Sequence, residues 1–242
     1  MNKLSNFGYT KVTTKEKTEL VQKVFSDVAF NYDLMNDVMS FGTHRLWKKT
    51  FIDMVNPYYG DKIIDVGSGS GDLVLEIQKR YLNAKIDIVD LNNEMLNEGR
   101  KRIKKAGVNF YLQNAENLSF KNNTYDKYLI SFCLRNVTDI NKSFKEALRV
   151  LKPGGQYFCL EFSKPNSFII SNIYSYYKAN FIPFFGKIFS NNRDAYSYLN
   201  ESIDIFPNQE DLKKRMENAG LKSVKFINLF DGIVSIHTGF KY

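Results

Sequence analysis

Ile63-Ile-Asp-Val-Gly-Ser-Gly-Ser-Gly-Asp72 decides the fold. A short β-branched run predicts a buried strand, and glycines at 67, 69 and 71 turn it straight into a helical stretch from Asp72 to about Tyr81. Glycine here permits a tight turn and a close ligand approach at the carboxyl end of a strand, where open α/β sheets bind small molecules.

Outward from this loop, strand-like and helix-like stretches alternate. Lys85–Asp90 reads as a strand, Asn93 to about Ala106 as a helix stopped by Gly107, and Val108–Leu112 and Asp126–Phe132 as strands. A helix from about Asn141 is expected to end at Lys152-Pro-Gly-Gly155, before a strand at Gln156–Phe162. Such alternation calls for a parallel sheet with helices on both faces. The tail departs from it: Leu221–Leu229 and Ile233–Phe240 flank Asp231-Gly232, a hairpin dipeptide. A mostly parallel seven-stranded α/β sheet ending in an antiparallel hairpin resembles the Rossmann-like fold of the methyltransferases that use S-adenosylmethionine (SAM).

The loop's register separates two nucleotide ligands. A dinucleotide fingerprint requires glycine at position 72, which is Asp72 here. A carboxylate at a helix start opposes a pyrophosphate but tolerates the ammonium of SAM. Asp90, ending the next strand, can accept both ribose hydroxyls. Gln113-Asn-Ala-Glu116 places polar groups where an adenine edge would lie.

Two segments lie outside the core of what reads as a single domain spanning 1–242. Residues 1–55 look helical, with Leu20, Val24 and Val28 on one face. Residues 163–206 hold eleven aromatics between Phe168 and Phe206, which suits either a lid over an apolar substrate or a helical pair packed into ordinary core. The net charge of +8 admits nucleic acid or an anionic membrane surface as partner. The basic cluster Arg100–Lys105 reads as a solvated helix face. Two cysteines, Cys133 and Cys159, are too few for a disulfide framework or a usual zinc site, so no metal is expected. No apolar run reaches membrane-spanning length, and the amino terminus lacks a signal-like block; the expected location is cytoplasmic.

Tyr32-Asp-Leu-Met-Asn-Asp-Val-Met-Ser-Phe-Gly-Thr-His-Arg-Leu-Trp47 and Arg149-Val-Leu-Lys-Pro-Gly-Gly-Gln-Tyr-Phe-Cys-Leu-Glu-Phe-Ser163 resemble the two signatures of the ubiquinone/menaquinone biosynthesis C-methyltransferases. Ile130–Asp139 is similar to that family's strand-four segment, and Ala195–Ile203 to its lid segment. The resemblance runs from about residue 7 to the end. Cys133 departs from it, standing where the family usually has glycine, and so does Tyr157, where aliphatic residues are commoner.

The resemblance implies SAM-dependent C-methylation of a polyprenylated quinol ring, benzoquinol or demethylmenaquinol. Together with the glycine loop it places SAM against Asp65, Gly67, Gly69, Ser70, Gly71, Asp90, Asn114, Ala115 and Ser131. A lipid-soluble acceptor implies peripheral contact with the inner face of a membrane, and a homodimer or a quinone-biosynthetic complex is a candidate assembly. A quinol carbon becomes nucleophilic when a ring hydroxyl ionises. Arg135 and Asn136 follow strand four, and Arg135 reads either as stabilising phenolate charge or as a structural ion-pair partner. His44 is a candidate base or a packing residue; His237 reads as structural, and Tyr32 and Asp33 as closing over the cofactor. A nucleic-acid methyltransferase is the alternative that charge alone favours, but there is no Pro-Cys dipeptide at strand four and no Asp/Asn-Pro-Pro-aromatic motif. Cys133 therefore reads as a small buried apolar residue, and no nucleic-acid partner is expected. A non-catalytic scaffold in a quinone-synthesising assembly is the other alternative.

Overall fold

The computed structural model describes residues 4–29, 32–80, 84–189 and 193–242. Seven strands form one sheet: β3 (Lys62–Val66), β4 (Lys85–Asp90), β5 (Val108–Leu112), β6 (Tyr125–Ser131), β7 (Leu151–Phe162), β8 (Lys222–Leu229) and β9 (Val234–Phe240). Their order is β5-β4-β3-β6-β7-β9-β8, parallel except for β9, which runs antiparallel to both neighbours. The chain leaves β3 on one side for β4 and later returns on the other with β6. A crevice therefore opens at the carboxyl end of β3, where the glycine loop lies.

Strand periodicity builds two cores. Ile64, Val66, Tyr128, Ile130, Tyr157 and Cys159 face one side, beneath α6 (Ile140–Val150) and α9 (Gln209–Ala219). Ile63, Leu129, Phe158 and Leu160 face the other, beneath α3 (Thr43–Val55), α4 (Asp72–Arg80) and α5 (Asn93–Arg102). A sheet covered on both faces needs apolar residues at nearly every position, as β3 and β6 show.

Several boundaries differ from the sequence reading. Residues 1–55 are not wholly helical: β1 (Leu4–Phe7) and β2 (Thr10–Thr13) pair as a hairpin before α1 (Thr14–Val28) and α2 (Tyr32–Ser40). Thr13 ends β2 and caps α1, its hydroxyl accepting from Glu16 N while Glu16 accepts from Thr13 N. Helix α5 stops at Arg102 because Ile103 turns extended and buries its side chain against Gly71. Helix α6 stops at Val150, since Leu151 already pairs with Tyr125 and Lys152-Pro-Gly-Gly155 forms the bulged start of β7. The terminal hairpin turns through Phe230–Gly232, with Phe230 and Asp231 also left-handed. The aromatic insert folds as α7 (Phe168–Phe189) and α8 (Arg193–Ile205); the side chains of Phe184, Phe185 and Phe189 lie outside the described residues.

Candidate active site at the glycine loop

Two adjoining cavities meet at the crevice and share Phe25, Tyr32, Gly67, Ser131, Phe132 and Asn136 in their walls. The smaller, of about 100 Å³, is floored by Gly69, Asp90, Asn114 and Ala115 and roofed by Gln22 and Phe25 of α1. The larger, of about 440 Å³, runs beneath α2, α7 and α8. Its walls are apolar and aromatic, with Met35, Met39, Trp47, Phe162, Tyr174 and Tyr177 prominent; besides the tyrosines, Lys48, Asp72, His44 and Arg135 bring ionisable groups and Asn36 and Asn136 bring amides.

The donor set of the smaller cavity fits the nucleoside of SAM. Gly67 and Gly69 are left-handed, and Gly67 N and Ser68 N both donate to Val89 O, folding the loop over the β4 end. Asp90 Oδ2 accepts from Gly69 N at 2.8 Å and Oδ1 from Asn92 N at 2.8 Å. With three backbone donors on its roughly four acceptor sites, the carboxylate keeps capacity for a further donor, as a ribose hydroxyl requires. Burial pushes the Asp90 carboxyl up, while N–H bonds from Asn92, Gly69 and Leu91 pull it back. Gln113 and Glu116 also reach this cavity, but their side chains are engaged: Gln113 with Ser119, and Glu116 with the Thr138 and Asp139 amides.

Three residues read as cofactor contacts stand behind the wall. Asp65 is fully buried and takes Ser68 Oγ–H at 2.7 Å; burial lifts its carboxyl to about 7, and its Oδ1 has no partner. Gly71 lies against Ile103, where a Cβ would fall 2.4 Å from Ile103 Cδ1. Ser70 Oγ accepts from Arg102 at 2.5 Å. Ser131 lines both cavities.

Asp72 is not the lone carboxylate that the sequence suggests. Lys48 Nζ sits 2.5 Å from its Oδ2, and Arg102 Nη2 lies 2.8 Å from its Oδ1 and 3.0 Å from Asp33 Oδ2. Burial raises the Asp72 carboxyl, but the two cations outweigh it and hold it below the usual carboxylate range. Arg102 therefore leaves the solvated face expected of the Arg100–Lys105 cluster and braces the loop. Tyr32 lines both cavities, whereas Asp33 turns towards Arg102.

Arg135 lines the larger cavity but is not a free cation. Its Nη1 donates to Glu161 Oε1 at 2.7 Å and to Phe132 O at 2.6 Å, its plane lies over the Phe162 ring, and its Nε has no partner. Asn136 Oδ1 accepts from the Tyr198 hydroxyl at 3.0 Å. Tyr198 stacks on Phe7 with ring centroids 4.2 Å apart, so the amino-terminal hairpin braces α8 against the site. His44 Nε2 bonds Asp37 Oδ1 at 2.8 Å, and Arg45 grips both oxygens of Asp37. Burial and the charge of Lys48 lower the pKa of His44 and favour its neutral ring. His237 is buried in β9, bonded to Gln209 O.

Sequence reasoning missed Glu161, Lys48, Asp37 and Tyr198 as site members. Glu161 and Lys48 each carried a signal: a carboxylate within an otherwise apolar strand, and a cation one turn after His44 on a buried helix face. The tyrosines of α7 and α8 divide. Tyr174, Tyr177, Tyr196 and Tyr198 line the larger cavity, while Phe168 and Tyr176 are 79% and 65% exposed.

Solved structures place the fold among SAM-dependent methyltransferases. One from Thermotoga maritima matches with a TM-score of 0.67 at 21% identity, covering 91% of this chain and 99% of its own. Phosphoethanolamine N-methyltransferase 2 of Haemonchus contortus, solved with S-adenosyl-L-methionine, matches with a TM-score of 0.62 at 15% identity, covering 83% of this chain and 52% of its own. Sequence similarity is far closer to ubiquinone/menaquinone biosynthesis C-methyltransferases: 45% identity with that of Rickettsia bellii over 98% of both chains. That of Idiomarina loihiensis shares 43% over 98% of this chain and 96% of its own. The ubiE/COQ5 methyltransferase model matches residues 11–241. With the glycine loop, Asp90 and both signature segments converging on one crevice, the chain belongs to the ubiE/COQ5 methyltransferase family, a family of SAM-dependent enzymes.

Proposed function

We propose that the protein methylates a ring carbon of a polyprenylated quinol, benzoquinol or demethylmenaquinol, in ubiquinone or menaquinone biosynthesis. The observation that carries this is the larger cavity: about 440 Å³, walled by aromatics and methionines, joined to the nucleoside cavity at Gly67 and Ser131. An aromatic ring with an apolar tail suits such walls, and a charged nucleic-acid backbone does not. The relatives' names support the same reading.

SAM supplies an activated methyl group. Asp90, Asn114, Ala115, Ser131, Gly67 and Gly69 hold its nucleoside and orient it, while Asp65, Ser70 and Gly71 shape the loop from behind. Arg135, Asn136 and His44 act on the acceptor. Arg135, pinned by Glu161, presents a fixed dipole that favours the ionised hydroxyl, and Asn136 and Tyr198 hold its edge. His44, kept neutral by burial, is the group that takes the hydroxyl proton.

Residues 163–206 serve as the lid of a single domain spanning 1–242. Among the described residues no helix is long and apolar enough to cross a membrane. Phe168, Ile169, Ile173 and Tyr176 are exposed on α7 beside the cavity rim, which supports peripheral contact with lipid at the cytoplasmic face.

Incubation with methyl-labelled SAM and, separately, a methoxy-benzoquinol, a demethylmenaquinol and tRNA tests the reading. Label in a quinol ring is expected. Label in tRNA alone, or SAM binding without transfer to either quinol, overturns it.

A further inference from the structure

We propose that Lys48 and Asp72 form a receptor for the amino-acid end of SAM, Lys48 taking the carboxylate and Asp72 the ammonium. The inference rests on SAM as donor and adds how its zwitterionic end is read.

Both side chains line the larger cavity beside Gly67, Ser68 and Tyr32, where it adjoins the nucleoside cavity. They come from separate elements, α3 and the start of α4, and close on each other at 2.5 Å with side-chain exposures of only 11% and 19%. Anchoring Asp72 to the protein does not require Lys48. Arg102, which lies outside both cavities, already holds the other Asp72 oxygen at 2.8 Å and continues to Asp33 at 3.0 Å. Lys48 is thus the cation of the cluster that faces the cavity and can exchange its partner.

The charges support an exchange. Lys48 and Arg102 balance Asp72 and Asp33, so the cluster is neutral. An amino-acid group inserted between Lys48 and Asp72 brings one charge of each sign. One buried pair becomes two, and the net charge of the pocket does not change. A ligand with ammonium alone would leave Lys48 facing a cation, and one with neither group would leave the original pair closed.

The test is calorimetric titration of the full chain with three ligands sharing one nucleoside. They are S-adenosylhomocysteine, its decarboxylated analogue 5′-(3-aminopropylthio)adenosine, and 5′-methylthioadenosine, which lacks the amino-acid end. Wild-type protein should bind S-adenosylhomocysteine about 10- to 100-fold more tightly than the decarboxylated analogue, the scale of a charged hydrogen-bonded contact. Lys48→Met should bring that ratio to about threefold or less while 5′-methylthioadenosine affinity stays within about twofold, and Lys48→Arg should restore the ratio. The wild-type comparison needs no variant, so a misfolded K48M does not spare the proposal. A wild-type ratio near one overturns it, as does a K48M protein that weakens all three ligands equally. Failure of wild-type protein to bind any of the three counts instead against SAM as donor.

Discussion

Gly67 packs tightly against Cys133, two residues past the end of β6, and Gly67→Ala measures that contact. At φ +67 an alanine costs about 1–2 kcal/mol for the left-handed backbone alone. Its Cβ would also lie 2.0 Å from Cys133 Sγ and 2.5 Å from Cys133 Cβ, so something must move. Relieving such overpacking in a close-packed region costs typically about 1–3 kcal/mol, for a total of about 2–5. Cys133→Gly removes both offending atoms and leaves the backbone penalty untouched. The double variant G67A/C133G should therefore recover the steric part only, giving a favourable coupling of about 1–3 kcal/mol. Urea unfolding of the four proteins measures it, and S-adenosylhomocysteine titration shows whether the loop returns to shape. Strict additivity, with coupling under about 0.5 kcal/mol, would show that Gly67 serves backbone conformation alone and that the sulfur is not a wall of the loop.

Arg135→Met leaves Glu161 buried without its cation and should cost about 3–5 kcal/mol in thermal unfolding; R135M/E161Q should recover most of this yet still fail to transfer labelled methyl. Near-normal kcat in the double variant would reduce Arg135 to a structural role. His237 is held neutral by burial, which lowers its pKa from 6.5 to about 4, so the unfolded ring binds a proton that the native ring refuses. Its contribution is complete above about pH 6.5 and lost as pH falls through about 4, worth about 3 kcal/mol; urea unfolding across this range should show a slope that His237→Gln flattens. Gly8→Ala places a Cβ 2.0 Å from Glu201 Oε2 and should push the β1–β2 hairpin off α8, raising acceptor KM while S-adenosylhomocysteine affinity holds; Glu201→Ala in the same chain should relieve part of it, since the left-handed backbone and Glu201 Cβ remain.

The strand-loop-helix at the glycines is legible because its determinants are local: β-branched residues, then glycines whose positive φ the turn requires. Asp90 is legible for the same reason, since a fixed spacing carries it to the end of the neighbouring strand. The amino-terminal hairpin is not. Leu4–Phe7 and Thr10–Thr13 are four-residue strands too short to announce themselves, and a hairpin of that size is stabilised by packing: Phe7 on Tyr198, and Tyr9 O–H to Asp204 at 2.9 Å, about 190 residues away in sequence. The end of α6 is hidden by Pro153-Gly-Gly, which reads as a helix stop but forms a strand bulge, because Leu151 finds Tyr125 across the sheet. The eleven aromatics of the insert fix its content and leave its purpose open, since only tertiary placement tells that Tyr174 and Tyr177 face a cavity while Tyr176 faces outward.

Charge is where local reading fails most. Asp72 and Arg102 read as single charges and Arg135 as a cation without a named partner, and each is neutralised by a partner at least 24 residues distant. For catalysis the pairing is an advantage. A free Arg135 in an aromatic cavity would bind any anion and would hold a ground-state carboxylate as firmly as a developing phenolate. Paired with Glu161 it offers little to a neutral quinol or a stray anion. On the proposed reading, its oriented N–H groups act as negative charge grows on the ring oxygen. An interaction that strengthens only along the reaction lowers the barrier, whereas one present from the start merely tightens binding. R135K carries this argument to measurement. Lysine keeps the charge and a bond to Glu161 but loses the planar array of donors. Acceptor KM should change little and kcat should fall by about 100- to 1,000-fold, the range for losing one preorganised donor. Unchanged kcat with raised KM would show that Arg135 binds the acceptor rather than its ionising form.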